Sequence, residues 1–124
     1  MIYFVFLIHA AAYALADELP ESFAGAVAAA LGTESDRIIL KDYYFSPENY
    51  AKISAAPNCP FEAGRLAIED IGPRELKTGG IGAALVIKAD NTSDSGKQRL
   101  AEMAKETSKS PVFLMESGTL TKIA

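Results

Sequence analysis

Two near-continuous apolar runs, Ile2–Ile8 and Ala83–Ala89, constrain the fold of this chain more than any other feature. Runs of this kind are typical of strands that are covered on both faces, as in parallel sheets. Each run leads into a loop, a segment with helical spacing and a second strand-like segment. We therefore predict an α/β fold made of two similar β-loop-α-β units, in which the strands that flank each helix pair in parallel.

Capping residues mark the ends of the two predicted helices. Gly32 follows the first helical pattern, and glycine readily adopts the left-handed conformation of a C-cap. Asp94 or Ser95 is suited to the N-cap of the second helix. The elements predicted after the two apolar runs are a helix from about residue 18 or 22 to 31, strand Arg37–Tyr44, a helix from about 95 to 107 with Leu100, Met103 and Ala104 on its inner face, and strand Val112–Met115.

The segment from 54 to 82 is punctuated by proline and glycine, which favour turns and loops. We predict that it is loop, apart from one short strand at Arg65–Ile71. A chain of 124 residues is expected to form one domain. Its two halves, at about 1–53 and 80–124, would be joined by this loop-rich segment.

The first sixteen residues admit a second interpretation. Residues 1–16 combine an apolar block with small residues that end in Ala14-Leu15-Ala16, as in a secretory signal peptide. However, no Lys or Arg precedes the block, which is short and rich in β-branched and aromatic residues. We therefore expect a buried strand and a cytoplasmic protein, whereas a cleaved signal would make the protein secreted or periplasmic.

Composition argues against several classes of function. The formal net charge is −4 and the sequence pI is about 5.0, so we expect no nucleic-acid partner. Cys59 is the sole cysteine and His9 the sole histidine, which leaves neither an internal disulfide nor a metal-binding spacing. No run reaches the roughly 18 apolar residues of a membrane span. We expect neither a cofactor nor a membrane partner.

The stretch from Ala28 to Tyr50 carries the most specific pattern. It consists of a helix end, a strand with Arg37 near its start, and Ser46-Pro47-Glu48-Asn49-Tyr50 at a predicted turn. This order resembles the first half of the tautomerase superfamily, which includes 4-oxalocrotonate tautomerase and macrophage migration inhibitory factor. The second half, with Leu85-Val86-Ile87-Lys88 ahead of a helix, is also similar to the plan of that family.

The resemblance implies an architecture and an assembly. Members of the family form one four-stranded sheet with two helices on one face, and three subunits close around the other face. Since Ile2–Ile8 is apolar on both of its faces, an uncovered sheet face would exceed the apolar patch that a monomer tolerates. We therefore expect oligomerisation, and the resemblance implies a homotrimer.

The resemblance also implies a site. In the family an N-terminal proline acts as the general base of a keto–enol isomerisation, and an arginine binds the substrate carboxylate. Here Ile2 stands in place of that proline, so Met1 is expected to be retained and to offer a primary amine as a weaker base. Arg37 would bind a small carboxylate ligand, beside Ile2 and Tyr50. The expected function is an isomerase impaired by the loss of proline, or a non-catalytic interaction protein of the same fold.

Three further alternatives stay open. His9 follows the first strand, as in phosphotransferase domains of the mannose type, although their Gly-Gly-Ser-Pro segment is missing. Residues 77–124 are similar to RNA-binding domains of the ribosomal L7Ae/L30e type, which would make 120–124 a last helix; the acidic balance argues against this. Finally, Arg37 could simply form a surface ion pair with Asp36, Asp42 or Glu34.

Overall fold

A computed structural model describes residues 2–9, 21–41, 46–71, 81–90 and 92–124 of the protein. The strands are β1 (Ile2–His9), β2 (Ile38–Lys41), β3 (Ile81–Lys88), β4 (Val112–Glu116) and β5 (Thr119–Lys122). The α-helices are α1 (Ala24–Leu31), α2 (Pro47–Ala55), α3 (Cys59–Ile71) and α4 (Asp94–Thr107). Short 3-10 turns at Glu21–Phe23 and Ser35–Arg37 precede α1 and β2.

The strands form one five-stranded sheet in the order β2-β1-β3-β4-β5. β1 lies inside the sheet and pairs in parallel with both neighbours, so that Phe4 is opposite Ile39 on one side and Ala83 on the other. β4 pairs in parallel with β3, and β5 is antiparallel to β4. The predictions of an inner strand at Ile2–Ile8 and of parallel pairing in each unit are therefore confirmed.

Helices cover both faces of the sheet. On one face, Phe6 belongs to a buried cluster that includes Ile53 of α2 and Ala104 of α4, together with apolar residues of α3. On the other face, Val5 packs in a second cluster with Val27 of α1. The mixed α/β class is confirmed. The sheet predicted from the resemblance, with four strands and two helices on one face, does not match, because the described residues form five strands with helices on both faces.

The fifth strand arises from a tight turn. Ser117 and Gly118 have φ angles of 48° and 81°, and two successive residues with positive φ suit the two-residue turns that connect antiparallel strands. The chain therefore folds back, and Leu120 pairs with Met115. The last helix that the ribosomal-type alternative needs at 120–124 is wrong, since that stretch contains most of β5.

Helices α2 and α3 occupy the stretch that the sequence predicted to be turn and loop. The side chain of Ser46 caps α2 by accepting a hydrogen bond from the backbone N–H of Asn49 at 3.2 Å. Pro47 and Pro60 lie in the first turns of α2 and α3, where a missing N–H costs no helical hydrogen bond. The predicted strand at Arg65–Ile71 is wrong, because these residues belong to α3. Pro47 and Pro60 lie at helix starts and do not interrupt the helices.

The remaining predicted elements are largely confirmed. Gly32 caps α1 in the left-handed conformation, and its N–H bonds to Ala28 and Ala29 carbonyls. α4 has the predicted inner face, with Ala104 buried. Its N-cap is Ser93 rather than the predicted Asp94 or Ser95. Parts of two predictions, residues 18–20 of the first helix and 42–44 of the second strand, lie outside the described residues.

The apolar sheet face from which we expected oligomerisation is already covered within one chain. Val5, Val86 and Phe113, which lie on the α1 side, are at most 1% exposed. Among the described residues, the exposed large apolar side chains are Ile39 and Tyr50. The homotrimer stays a prediction, and it would need an interface other than this face.

Candidate ligand-binding site

A close contact between α3 and β3 positions the site. Gly64 faces the sheet, and a Cβ at that position would lie only 2.5 Å from Cδ1 of Leu85. Two nonbonded carbon atoms cannot lie this close, so either α3 or the Leu85 side chain would have to shift. The absence of a side chain at Gly64 therefore lets α3 lie directly against β3. One face of the helix is buried on the sheet, and an adjacent face lines a cavity.

The cavity lies between α3 and the segment that links α4 to β4, and it has a volume of about 370 Å³. Its apolar lining comes from Phe61 and Ile68 of α3 and Leu85 of β3. Phe61 and Leu85 are only 5% and 2% exposed. This size and this apolar character fall in the range of small-molecule pockets.

Three charged side chains of α3 form one side of the cavity. Nη2 and Nε of Arg65 donate to Oε2 of Glu62 at 2.8 and 3.2 Å, and Nη1 donates to Oε1 of Glu69 at 2.7 Å. The hydrogen bond to Glu62, followed by the one to Glu69, raises the pKa of Arg65 above its ordinary value. The guanidinium is about half exposed, so these bonds mainly fix its position along the helix.

The opposite side of the cavity is polar and comes from the end of α4. Thr107 donates its hydroxyl proton to the Met103 carbonyl at 2.6 Å, and Ser108 donates its own to the Ser110 carbonyl at 3.0 Å. The side chains of Thr107, Ser108 and Ser110 line the cavity together with Lys109. The hydroxyl oxygens of these residues are acceptors as well as donors.

The cavity offers several kinds of binding contact. Its lining, within the described part of the chain, holds neither histidine nor cysteine. Cys59 is buried at the start of α3, where its thiol donates to the carbonyl of Ala56. The lining thus provides apolar contact, charges of both signs and hydroxyl groups.

The structure places Arg37 and Ile2 near each other, away from this cavity. Tyr3 pairs with Ile38, so Ile2 and Arg37 lie side by side where β1 and β2 begin. Arg37 is half exposed, and its Nε is 3.9 Å from Oδ1 of Asp36. The surface depression beside it is lined by Glu21 and Asp36, whose charges disfavour a carboxylate ligand.

The other two predicted site residues are Tyr50 and Met1, and no described contact places either of them beside Ile2 and Arg37. Tyr50 lies on α2 and is 38% exposed, and α2 packs on the sheet face opposite to α1. Met1 lies outside the described residues. The assignment of Met1, Ile2, Arg37 and Tyr50 to one site therefore stays a prediction.

The carboxyl ends of the parallel strands form a second region of interest. Ligands of open α/β sheets bind where the strand order reverses, which in this sheet is the boundary between β1 and β3. His9 and Lys88 are opposite each other there. Nearby, Lys97 contacts Glu116 at 2.9 Å and Asp94 at 3.3 Å. These three charged side chains therefore form ion pairs with one another.

Metal and membrane contacts are not indicated by the described residues. They contain no cluster of His, Cys, Asp and Glu side chains that could hold a metal ion. None of the helices in the described ranges is long and apolar enough to cross a bilayer.

Comparison with known proteins does not assign a family. No family model matches the chain, and searches of curated proteins and of solved structures found no match either. The tautomerase resemblance therefore stays a prediction from the sequence.

Sequence reasoning missed the charged residues of the cavity. Glu62, Arg65 and Glu69 are spaced three and four residues apart, which is the spacing at which side chains meet on a helix. The prediction of loop and strand in this segment hid that signal. The polar residues of 107–110 gave no comparable signal, because they reach the cavity only through the tertiary fold.

Proposed function

We propose that this protein binds a small organic molecule in the cavity between α3 and the end of α4. The observation that carries the proposal is the combination of a buried apolar lining, Phe61 and Leu85, with charged and hydroxyl groups around a volume of about 370 Å³. Pockets that combine these features are the usual binding sites of small ligands.

Binding without covalent chemistry is the form of this function that the cavity favours. The raised pKa of Arg65 keeps its guanidinium charged, so this side chain can orient a ligand but cannot take up a proton from it. The hydroxyl of Thr107, whose proton is donated to Met103, can accept a hydrogen bond from a ligand, and the hydroxyl of Ser110 can accept or donate one. A carrier, sensor or regulatory subunit would need no more than this.

A pair of variants tests the proposal. Ile68→Phe adds volume in the cavity lining, whereas Leu66→Phe adds the same kind of side chain elsewhere on α3. Both positions are half-buried and pack against the same core cluster. In a thermal-shift screen of small amphipathic molecules, hits on the native protein should be lost in Ile68→Phe and kept in Leu66→Phe. Hits that survive in Ile68→Phe as strongly as in the control would contradict binding in the cavity.

A second candidate is the keto–enol isomerase that the sequence resemblance implies. It is supported by the neighbouring positions of Ile2 and Arg37 at the start of β1 and β2. Ketonisation of phenylpyruvate should then exceed the rate in buffer and fall in Arg37→Ala. Arg99→Ala, which changes an exposed arginine on α4, is the matched control. A rate equal to buffer would leave the non-catalytic alternative.

A further inference from the structure

We infer that the ligand of the cavity is a small zwitterion with an apolar body, of the chemical class of the branched-chain amino acids. This inference rests on the proposed function and adds the class of ligand to it. The cavity is lined by two positively charged residues, Arg65 and Lys109, and by two negatively charged residues, Glu62 and Glu69. Two positive and two negative charges sum to zero, so a ligand with a net charge of either sign gains no overall attraction.

Arg65 and Lys109 provide for the carboxylate of such a ligand. A guanidinium group has five N–H donors in a fixed planar arrangement. Three of the five are used by the glutamates, namely one each on Nε, Nη1 and Nη2, which leaves two N–H donors. Together with the ammonium group of Lys109, they can bind a carboxylate at the edge of the cavity.

Glu62 and Glu69 provide for the ammonium group. Glu62 accepts from Arg65 through Oε2 and Glu69 accepts through Oε1, so each glutamate keeps a second carboxylate oxygen. An ammonium group donates three hydrogen bonds and accepts none. The same two carboxylates repel phosphate groups, which argues against nucleotides as ligands.

The apolar lining explains why the ligand should carry a hydrocarbon side chain. Phe61 and Leu85 are almost fully buried and cannot form hydrogen bonds through their side chains. Burial of a branched aliphatic group against them supplies affinity through the hydrophobic effect. The charged groups are more exposed, so they contribute selectivity more than binding energy.

A set of matched ligands tests the inference on the 124-residue protein. Leucine, 4-methylpentanoate and 3-methylbutylamine share one aliphatic body; the second lacks the ammonium group and the third lacks the carboxylate. Isothermal titration calorimetry should give leucine a Kd at least about tenfold lower than either analogue, as expected when each charged group has its own partner. The neutral alcohol 3-methylbutan-1-ol serves as a probe of the apolar lining alone.

Charge variants provide an independent readout. The double change Glu62→Gln and Glu69→Gln leaves the lining positive, so the preference should move from leucine to 4-methylpentanoate. The control carries Glu102→Gln and Glu106→Gln, two exposed positions on α4 outside the cavity, and it should keep the preference for leucine. Circular dichroism confirms that both variants are folded before their Kd values are compared.

The outcomes separate this inference from the proposed function. If 4-methylpentanoate or 3-methylbutylamine binds the native protein as tightly as leucine, the zwitterion is excluded, while the cavity remains a ligand site. The same holds if only the neutral alcohol binds, with binding lost in Ile68→Phe. If none of the four compounds binds, the inference is overturned, and the proposed function is decided separately by the thermal-shift screen with Ile68→Phe and Leu66→Phe.

Discussion

At the residue scale, the cavity depends on Gly64, which has no side chain. Gly64 brings α3 against β3, because any Cβ at this position would collide with the methyl groups of Leu85. Leu85 is 2% exposed and lines the cavity, so its methyl groups would have to turn away from α3 and into that cavity. The lack of a methyl group at Gly64 thus lets α3 pack closely against β3.

We expect Gly64→Ala to destabilise the protein by about 1–3 kcal/mol, the usual cost of overpacking a core. Gly25→Ala is the control, since a Cβ at Gly25 has no atom within 4 Å and alanine favours helix by about 0.5–1 kcal/mol over glycine. Urea denaturation measures both free energies of unfolding. Equal effects of the two changes would show that the contact with Leu85 does not constrain α3.

The ion pairs of Lys97 predict a pH dependence of stability. The hydrogen bond to Glu116, and then that to Asp94, raises the pKa of Lys97. A raised pKa stabilises the folded state below the ordinary lysine pKa of about 10.4, and the contribution disappears as pH rises through the folded value. The stability difference between native protein and Lys97→Met should therefore be largest near neutral pH and shrink above about pH 10.4.

Denaturation at a series of pH values measures this difference, and the exposed Lys105 supplies the control. Lys105→Met should show a stability difference from the native protein that changes less over the same alkaline range. Parallel pH profiles for the two variants would indicate that the contacts of Lys97 with Glu116 and Asp94 are not formed in solution.

At the element scale, the sequence predicted the elements whose signals are local. α1 and α4 follow from helical spacing and small capping residues, and β1, β3 and β4 from apolar runs. α2 and α3 escape prediction because Pro47, Pro60 and Gly64 are residue types that usually mark turns. Both prolines lie in the first turns of their helices. The glycine allows a close contact with β3 that the sequence of α3 does not reveal. β5, with four residues, is too short for a periodic signal.

The caps of the helices make a testable prediction at this scale. The side chain of Ser93 accepts from the N–H of Gly96 at 3.1 Å and so satisfies one free donor at the start of α4. Ser93→Ala should cost about 1 kcal/mol of stability. Ser93→Asn should recover most of it, because asparagine caps equally well. If asparagine is no better than alanine, the cap is not what the serine contributes.

At the scale of the whole molecule, the sheet is covered by its own helices. The sequence suggested a bare apolar face and, from it, oligomerisation, and the tautomerase resemblance implied a trimer. Val86 and Phe113 are instead fully buried in the second core cluster, so a single chain suffices to cover that face. Light scattering on the purified protein measures the assembly, and a mass of three chains would support the homotrimer through some other surface.

The candidate site could not be predicted from the sequence, because it belongs to the whole molecule. Its apolar lining joins residues from α3 and β3, and its polar side comes from residues 107–110. These segments are distant in the chain and meet only once the sheet has formed. The sequence predicted a small carboxylate ligand at Arg37, whereas the arginine that lines the cavity is Arg65.

The most direct test of ligand binding in this cavity is the detection of contacts between ligand protons and the protein by nuclear Overhauser effects. With leucine or 3-methylbutan-1-ol added, we predict contacts from the ligand methyl groups to the methyl groups of Leu85 and the ring of Phe61. Such contacts should disappear in Ile68→Phe. Contacts confined to residues outside the cavity, or no contacts with a ligand that demonstrably binds, would contradict the account.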